Sequence, residues 1–409
     1  MYIVGMSIEV RTIPPDHIED LLSPIATAFG MSFTEAHLDR ARALSELDVR
    51  LGAYDGDALV GAAGSYSFDV TVPGGAAVPM AGLTLVAVVP THRRRGILTR
   101  LMRTHLDGAR ARGQALAGLF ASEAPIYGRF GYGMAAVGGD IDLPRDRTAF
   151  FGPPTPPSRV RFVTEAEALT LFPPIWDRVR RTVPGMLTRS PGWWHTRRIA
   201  DPDVMRGGRG PLQRVIVDVG GRPAAYALYR FSAPMAHRDP FPSLEIAEAM
   251  GDSPEATRAV WRYLLDIDLA SSFRAAQLPV DHPLMLMLAD PRRLYMRLRD
   301  TLWIRLVDVG AALSQRRYGG PGSLTLAVED AFCPWNEGRY RLAGGAAERT
   351  DAAPDLAMNV ADLGAAYLGG TTFTQLAAVG RVIEHRPGAL LEADAMFRSE
   401  RVPWCPETF

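Results

Sequence analysis

Leu85-Val86-Ala87-Val88-Val89-Pro90-Thr91-His92-Arg93-Arg94-Arg95-Gly96-Ile97-Leu98 runs from an apolar strand, through a basic turn with one glycine, directly into a helix. The strand stops at Pro90, and Gly96 allows backbone to approach a ligand closely. The first amides of the helix then lack intrahelical partners and lie at the positive end of its dipole. Together with Arg93, Arg94 and Arg95, these groups suit a pyrophosphate. A solvated basic turn in front of a helix has the same composition, so this window by itself leaves both readings open. The helix that follows turns Ile97, Leu98, Leu101, Met102, Leu106 and Ala109 to one side and Arg100, Arg103, Asp107 and Arg110 outward.

An Arg-x-x-Gly-x-small stretch after an apolar strand resembles the acetyl-CoA loop of the GNAT superfamily of N-acetyltransferases. Leu98 here occupies the last, usually small position.

The chain has 409 residues, enough for two or three domains on the usual scale of roughly 100 to 200 residues each. Its formal net charge is zero and its pI about 7.1, which gives no global electrostatic case for nucleic acid or an anionic membrane. All 45 basic residues other than histidine are Arg, as in a GC-rich bacterial coding sequence. Cys333 and Cys405 stand far apart without Cys-x-x-Cys spacing, which suggests neither a disulfide framework nor a zinc cluster and fits a reducing cytoplasm. Met1 to Val10 lacks the basic and apolar regions of an export signal, and no stretch of about 18 apolar residues occurs elsewhere.

Residues 1–145 read as one α/β unit. Ile18–Phe29 and Glu35–Leu47 carry helical spacing; Val49–Tyr54 is a strand that turns at Asp55-Gly56-Asp57 into Ala58–Asp69. A hairpin at Pro73-Gly74-Gly75 leads to the strand Leu83–Val89, and after the next helix Ala115–Ala121 is a short apolar strand. The Pro- and Gly-rich stretch Pro144–Pro157 marks a boundary. Residues 146–297 form a second unit with strands at Arg214–Val219, Pro223–Phe231 and Leu244–Met250. A helix then opens at Asp252-Ser253-Pro254-Glu255, with Ser253 as cap and Pro254 in first position. This strand-turn-helix echoes residues 83–110 without the arginines, so it reads as a second, degenerate copy of the fold without the phosphate-binding turn. Residues 298–409 form a third unit that begins with the strand Leu302–Val309. Ala311–Tyr318 reads as helix-like, Val360–Leu368 and Phe373–Val379 as helical or mixed, and the chain closes on Ala389–Phe397 and Trp404–Phe409.

A second chemical constellation, Ser122-Glu123-Ala124-Pro125-Ile126-Tyr127-Gly128-Arg129-Phe130-Gly131-Tyr132-Gly133, follows the short strand. In an acetyltransferase core this point lies beside the thioester, where a departing thiolate benefits from a proton. A phenol with an ordinary pKa of about 10 stays protonated at neutral pH and can supply it. Tyr127 is the candidate acid, and aromatic packing of Tyr127, Phe130 and Tyr132 is the competing reading. No Cys or Ser is placed by motif as a nucleophile, so the acceptor amine attacks directly.

The loop Val86–Leu98, the segment Ser122–Gly133 and the strand Leu302-Trp303-Ile304-Arg305-Leu306-Val307-Asp308-Val309 together resemble the enhanced intracellular survival (Eis) type of N-acetyltransferase over nearly the whole chain. The resemblance implies a mixed α/β chain of two tandem GNAT folds, the second degenerate, followed by a domain similar to sterol carrier proteins. It further implies a homohexamer that uses acetyl-CoA without a metal and acetylates aminoglycosides, at several positions, and lysine side chains. By motif, Val86, Ala87 and Val88 pair with the pantetheine arm; Arg94, Arg95, Gly96, Ile97, Leu98 and Thr99 hold the pyrophosphate; Ser122 and Glu123 lie along the cofactor. The family uses its C-terminal carboxylate as general base, which here is that of Phe409.

Two other functions fit parts of the sequence: a lipid or sterol carrier with a vestigial acetyltransferase, and an acetyl-CoA sensor that transfers nothing. His37 and His92 read as packing or surface residues, and Trp193, Trp194 and Trp261 as core or interface. Glu19, Asp20, Glu35 and Asp39 read as solvated helix charges.

Overall fold

A computed structural model describes residues 8–43, 47–232 and 241–409. In chain order the first elements are β1 (Glu9–Thr12), α1 (Ile18–Phe29), α2 (Glu35–Ala43), β2 (Leu47–Asp55), β3 (Ala58–Thr71) and β4 (Ala77–Val88). They continue with α3 (Ile97–Ala111), β5 (Leu116–Phe120), α4 (Ala124–Tyr127) and β6 (Gly133–Met134). Of the helix expected over Glu35–Leu47, Glu35–Ala43 is helical; residues 44–46 lie outside the described residues, and Leu47 pairs with Tyr66 in a sheet. Most of the N-terminal stretch expected to carry no export signal, residues 1–7, also lies outside them.

The next segment holds β7 (Val137–Pro144), β8 (Ser158–Phe162), α5 (Glu165–Arg180), the single turn α6 (Pro191–Trp193), β9 (Gln213–Val219), β10 (Arg222–Phe231) and β11 (Leu244–Gly251). After them come α7 (Pro254–Leu265), β12 (Ser272–Pro279), the turn α8 (Leu284–Met287) and β13 (Arg297–Asp300). The last segment holds β14 (Leu302–Leu306), α9 (Val309–Ser314), β15 (Ser323–Glu329), β16 (Gly338–Ala343), β17 (Ala346–Arg349) and β18 (Leu356–Asn359). It ends with α10 (Val360–Ala366), α11 (Phe373–Ala378), β19 (Val382–Glu384) and α12 (Ala389–Phe397). The strand expected over Leu302–Val309 ends at Leu306 because Asp308 caps a helix instead, its Oδ1 accepting the Ala311 amide at 2.9 Å. That helix is shorter than the expected Ala311–Tyr318, closing at Ser314.

The chain divides into two compact units: residues 1–136, 302–400 and 407–409 form one, and residues 137–301 and 401–406 the other. The first unit holds a seven-stranded sheet in the order β1-β2-β3-β4-β5-β14-β6 and a five-stranded sheet β17-β16-β15-β18-β19. β14 enters the larger sheet between β5 and β6, with Leu302↔Phe120 through Leu306↔Leu116 in antiparallel register. β4 and β5 are its parallel pair, Met80↔Leu116 through Leu83↔Leu119. Ala81, Leu83, Ala117 and Leu119 on one face pack against Ile97, Leu101, Met102 and Leu106 of α3, the apolar stripe expected from its spacing.

The second unit repeats the plan in the order β13-β7-β12-β11-β10-β9-β8. β11 and β12 are its parallel pair, and α7 covers Val215, Val217, Ala225 and Phe273 with Ala259, Val260, Trp261 and Leu264. α7 starts as expected, with Ser253 Oγ accepting the Ala256 amide at 3.1 Å and Pro254 next. Trp193, Trp194 and Trp261 are all buried core residues.

Arg305 of β14 is wholly buried and pairs with Asp330 at 2.5 Å. Asp330 also accepts the Cys333 amide and the Asn336 side chain, each at 2.9 Å. Removing one charge of such a pair strands the other in the core, at a cost of about 3–5 kcal/mol. Asp330→Asn should therefore lower the urea midpoint of the first unfolding transition substantially; a midpoint equal to the wild type's would refute this role for the pair.

Candidate active site

β4 carries one extra residue relative to β3, since its register moves from Gly64↔Thr84 to Ala62↔Ala87, with Leu85 in the left-handed region at φ 52°. This is a β-bulge, and it inverts the alternation of side chains. Ala81 and Leu83 face α3 before it, and Val86 and Val88 pack on the same cluster after it. Ala87 turns the other way, onto Leu22 and Ile25 of α1. The parallel register with β5 stops at Leu83↔Leu119 while β4 runs on to Val88. Beyond that point Val86, Ala87 and Val88 have a strand neighbour, β3, on one edge only, and the other edge faces the gap left by the parting strands.

The loop after β4 makes a single turn over Pro90–His92 and then bends twice, with Arg94 at φ 61° and Gly96 at φ 77°. A left-handed arginine costs about 1–3 kcal/mol and persists only where its surroundings enforce it. Asp55, the last residue of β2, supplies part of that constraint: its Oδ2 lies 3.0 Å from Arg95 Nη2 and 3.4 Å from His92 Nε2. His92 is thus a brace for the loop, and Arg95 is held beside it. Arg93 and Arg94 are exposed and have no carboxylate partner among the described residues. No side chain caps α3, whose first helical bond is Arg100 N–H to Gly96 O at 3.1 Å. The amides of Ile97, Leu98 and Thr99 are left to point out of the helix start. A Cβ built on Gly96 would meet nothing within 4 Å, so the space over the turn is open. Leu98 packs its side chain inward against the α3 cluster, which leaves its backbone as accessible as that of a smaller residue.

On the other side of the gap, Ser122 and Glu123 are exposed after the end of β5, and Glu123 stands at the start of α4. Tyr127 closes that turn, buried, with the Ser122 side chain near its phenol. Burial pushes its pKa above the ordinary phenol range, the Glu123 charge pushes the same way, and the nearby Ser122 hydroxyl opposes both. The phenol is therefore protonated throughout the neutral range. Its ring meets Tyr132 edge-on, 6.1 Å between centroids. Tyr127 is packed as an aromatic, as the competing reading expects.

Phe409 is buried against Phe68, with ring centroids 5.0 Å apart, and covers Gly82 of β4. A Cβ on Gly82 would lie 3.2 Å from the Phe409 ring, and Gly82 faces Gly118 of β5 in register. The terminus therefore packs on the face of the sheet opposite α3, one residue before the last parallel pair. The structure brings Val86–Val88, Arg94–Thr99 and Ser122–Tyr127 to the same ends of two parting strands and seats Phe409 on one of those strands. Asp55 and Phe68, which contact the loop and the terminus, are residues that the sequence reading did not connect with them. Asp55 had a turn signal but nothing in the sequence connects it with Arg95.

Among the described residues no group of three or more His, Cys, Asp or Glu is placed to hold a metal, and no helix is long and apolar enough to cross a membrane. The parted strands, the one-sided edge of β4 and the uncapped helix can receive an extended amide-bearing arm ending in a pyrophosphate.

Residues 9–135 and 185–306 each match an acetyltransferase (GNAT) domain family, and residues 309–406 match a sterol carrier protein domain family. An uncharacterized N-acetyltransferase of Streptomyces avermitilis is 43% identical over 99% of this chain and all of its own. The N-acetyltransferase Eis of Mycobacterium tuberculosis is 35% identical over 86% of each chain. The crystal structure of Eis1 from Mycobacterium abscessus superposes with a TM-score of 0.84 at 32% identity, covering 98% of this chain and all of the other. The architecture is thus two acetyltransferase folds and a sterol-carrier-like domain, and the chain belongs to the Eis-type N-acetyltransferases of the GNAT superfamily.

Proposed function

We propose that the protein transfers the acetyl group of acetyl-CoA to primary amines, with aminoglycosides, at more than one position, and lysine side chains as its acceptor class. The observation that carries the cofactor assignment is the bulge at Leu85 and the loss of β4–β5 pairing after Leu83. Val86, Ala87 and Val88 offer their unpaired edge to the pantetheine arm. Arg94, Arg95 and the amides of Gly96, Ile97, Leu98 and Thr99 receive the pyrophosphate, and Ser122 and Glu123 line the far wall. Acetyl-CoA supplies the acyl group already activated as a thioester.

The reaction then asks two things of the protein. The acceptor must lose a proton as its nitrogen bonds to the acyl carbon, and we assign this to the Phe409 carboxylate. An α-carboxyl of ordinary pKa about 3.3–3.7 is a weak base, so it acts through desolvation or a water relay. The carbon–sulfur bond breaks as the new bond to nitrogen is completed, and the sulfur takes the proton of the Tyr127 phenol. The raised pKa of that phenol supports the role, since the donor stays loaded at any pH where the amine is partly neutral. We further propose three domains at residues 1–145, 146–297 and 298–409, a bacterial cytoplasmic setting and a homohexamer, on the resemblance to the family.

Thiol release from acetyl-CoA, measured over a panel of aminoglycosides and lysine peptides, tests the reading directly; background rates with every amine would reject it in favour of a cofactor sensor. Tyr127→Phe should lower kcat by about 10²-fold or more while leaving acetyl-CoA affinity nearly intact, and near-normal turnover would remove Tyr127 from the mechanism. Appending a short tag after Phe409 should likewise abolish turnover without weakening acetyl-CoA binding. Unchanged turnover in the tagged protein would eliminate the carboxylate as base.

A further inference from the structure

The second unit contains a cavity of about 730 Å³ for which the acetyl transfer has no use. It opens where β11 and β12 part. Their parallel register stops at Ile246↔Ala275, β11 continues to Gly251, and Met250 and Gly251 line one side with Leu278 and Pro279 also in the wall. Within its own sheet this is the position that the gap between β4 and β5 has in the other. Its volume lies within the roughly 300–1,000 Å³ of small-molecule sites.

A second acetyl-CoA does not fit it. Ser253 Oγ already occupies the Ala256 amide at the start of α7, and Pro254 has no N–H to offer. Asp252, with its side chain 1% exposed, fills the turn and is ion-paired to Arg178 at 2.7 Å and Arg222 at 2.5 Å. A pyrophosphate there would face a carboxylate and a closed helix start.

The rest of the lining mixes apolar side chains with polar ones, among them Thr182, Thr257, Asp281 and Arg401, and two of its hydrogen-bond donors lack partners among the described residues. Val179, Val183, Met250, Leu278, Met287 and Trp404 contribute apolar side chains to the wall. His282, 8% exposed, accepts the Leu284 amide on Nδ1 at 3.1 Å. Burial keeps its pKa down at about 3, so the ring is neutral and carries its proton on Nε2. That nitrogen has no partner among the described residues. Arg258 donates Nη2 to Phe151 O at 3.1 Å, but its Nε is buried without a partner. The other two arginines of the lining face carboxylates, Arg178 with Asp252 and Arg401 with Asp281 at 3.7 Å. Arg258 has none among the described residues, although the exposed Glu255 shares its helix. His282 stands edge-on to Trp261 at 5.0 Å, and Trp261 lies one helical turn beyond Arg258 on the same face. Two unmet donors, one of them an unneutralised guanidinium, thus occupy one region of a chamber whose wall is partly apolar.

We propose that this cavity is a second ligand site, for a small molecule with an apolar body and a single carboxylate. Arg258 and His282 Nε2 receive the acid group, and the body lies along Val183, Met250, Met287 and Trp404. A buried, charge-assisted contact of this kind discriminates strongly against a ligand that lacks the charge. The site is independent of acetyl transfer and requires no residue of the first unit.

Isothermal titration of the full-length protein with decanoate, and with decanol as the uncharged counterpart, tests the proposal. Decanoate should bind saturably, one molecule per chain, and Arg258→Gln should weaken it by about tenfold without affecting decanol or acetyl-CoA binding. Met250→Trp, which fills the chamber, should abolish decanoate binding. The proposal is overturned by decanoate binding that persists in Met250→Trp, which places the ligand elsewhere, the C-terminal domain included. Equal affinity for decanol and decanoate overturns it too, as does no saturable binding up to about 1 mM. Should Met250→Trp fail to fold, Arg258→Gln decides, and unchanged decanoate affinity in that variant sinks the site.

Discussion

The first unit is organised around a guanidinium that has no contact with water. Taking a charge out of solvent costs several kcal/mol even after relaxation, and Arg305 offsets part of it through Asp330, whose carboxylate in turn accepts from Cys333 and Asn336. Arg305 lies in the middle of β14, so the pair holds that strand between β5 and β6 and fastens the loop after β15 to it. The same guanidinium lies against Gly131, at φ 82°, leaving no room for a side chain there. Gly131 belongs to the loop between Tyr127 and Tyr132. One buried charge thus fixes a strand from far along the chain, a loop of the C-terminal region and the turn that carries the candidate proton donor.

The two large sheets show how one plan yields two different crevices. Each has an antiparallel run, one parallel pair and a helix packed across that pair, and in each the parallel strands separate before they end. The difference lies in the few residues between strand and helix. In the first unit the helix start is uncapped and preceded by a left-handed arginine and a glycine, so donors face outward. In the second a serine cap, a proline and a buried aspartate use up or cancel the same positive end. Backbone shape is shared while the phosphate chemistry is not, and the second crevice is a chamber of mixed apolar and polar lining.

Composition adds a constraint on an enzyme that acetylates amines. The chain contains 45 arginines and no lysine. A guanidinium stays protonated at any pH where proteins are folded, whereas an ammonium with a pKa of about 10.4 releases some neutral amine. The protein's side chains therefore offer no ε-amine to compete with the acceptor. The solubility and ion pairing that lysine normally supplies come from arginine, as in the pairs with Asp55, Asp252, Asp330 and Asp355.

Much of this was legible in the order of residues because the signals are local. The period of Ile97, Leu101, Met102 and Leu106, the cap at Ser253 and the loop from Pro90 to Gly96 depend on neighbours within a turn or two, and they emerged where the spacing placed them. Tyr127 was legible as a candidate for the same reason. Helix ends were less so: Asp308 took the end of an apolar run for a cap, and Leu47 left a helical pattern to pair with Tyr66. Long-range choices were decided by tertiary structure alone. Leu302–Leu306 has the pattern of any buried strand, and only the open edges of β5 and β6 and the burial of Arg305 beside Asp330 determine which sheet it joins. The partners of Arg95 and Phe409, namely Asp55 and Phe68, lie 40 and 341 residues away in sequence. No periodicity encodes such pairings, because they arise from surfaces that exist only once the sheets have formed.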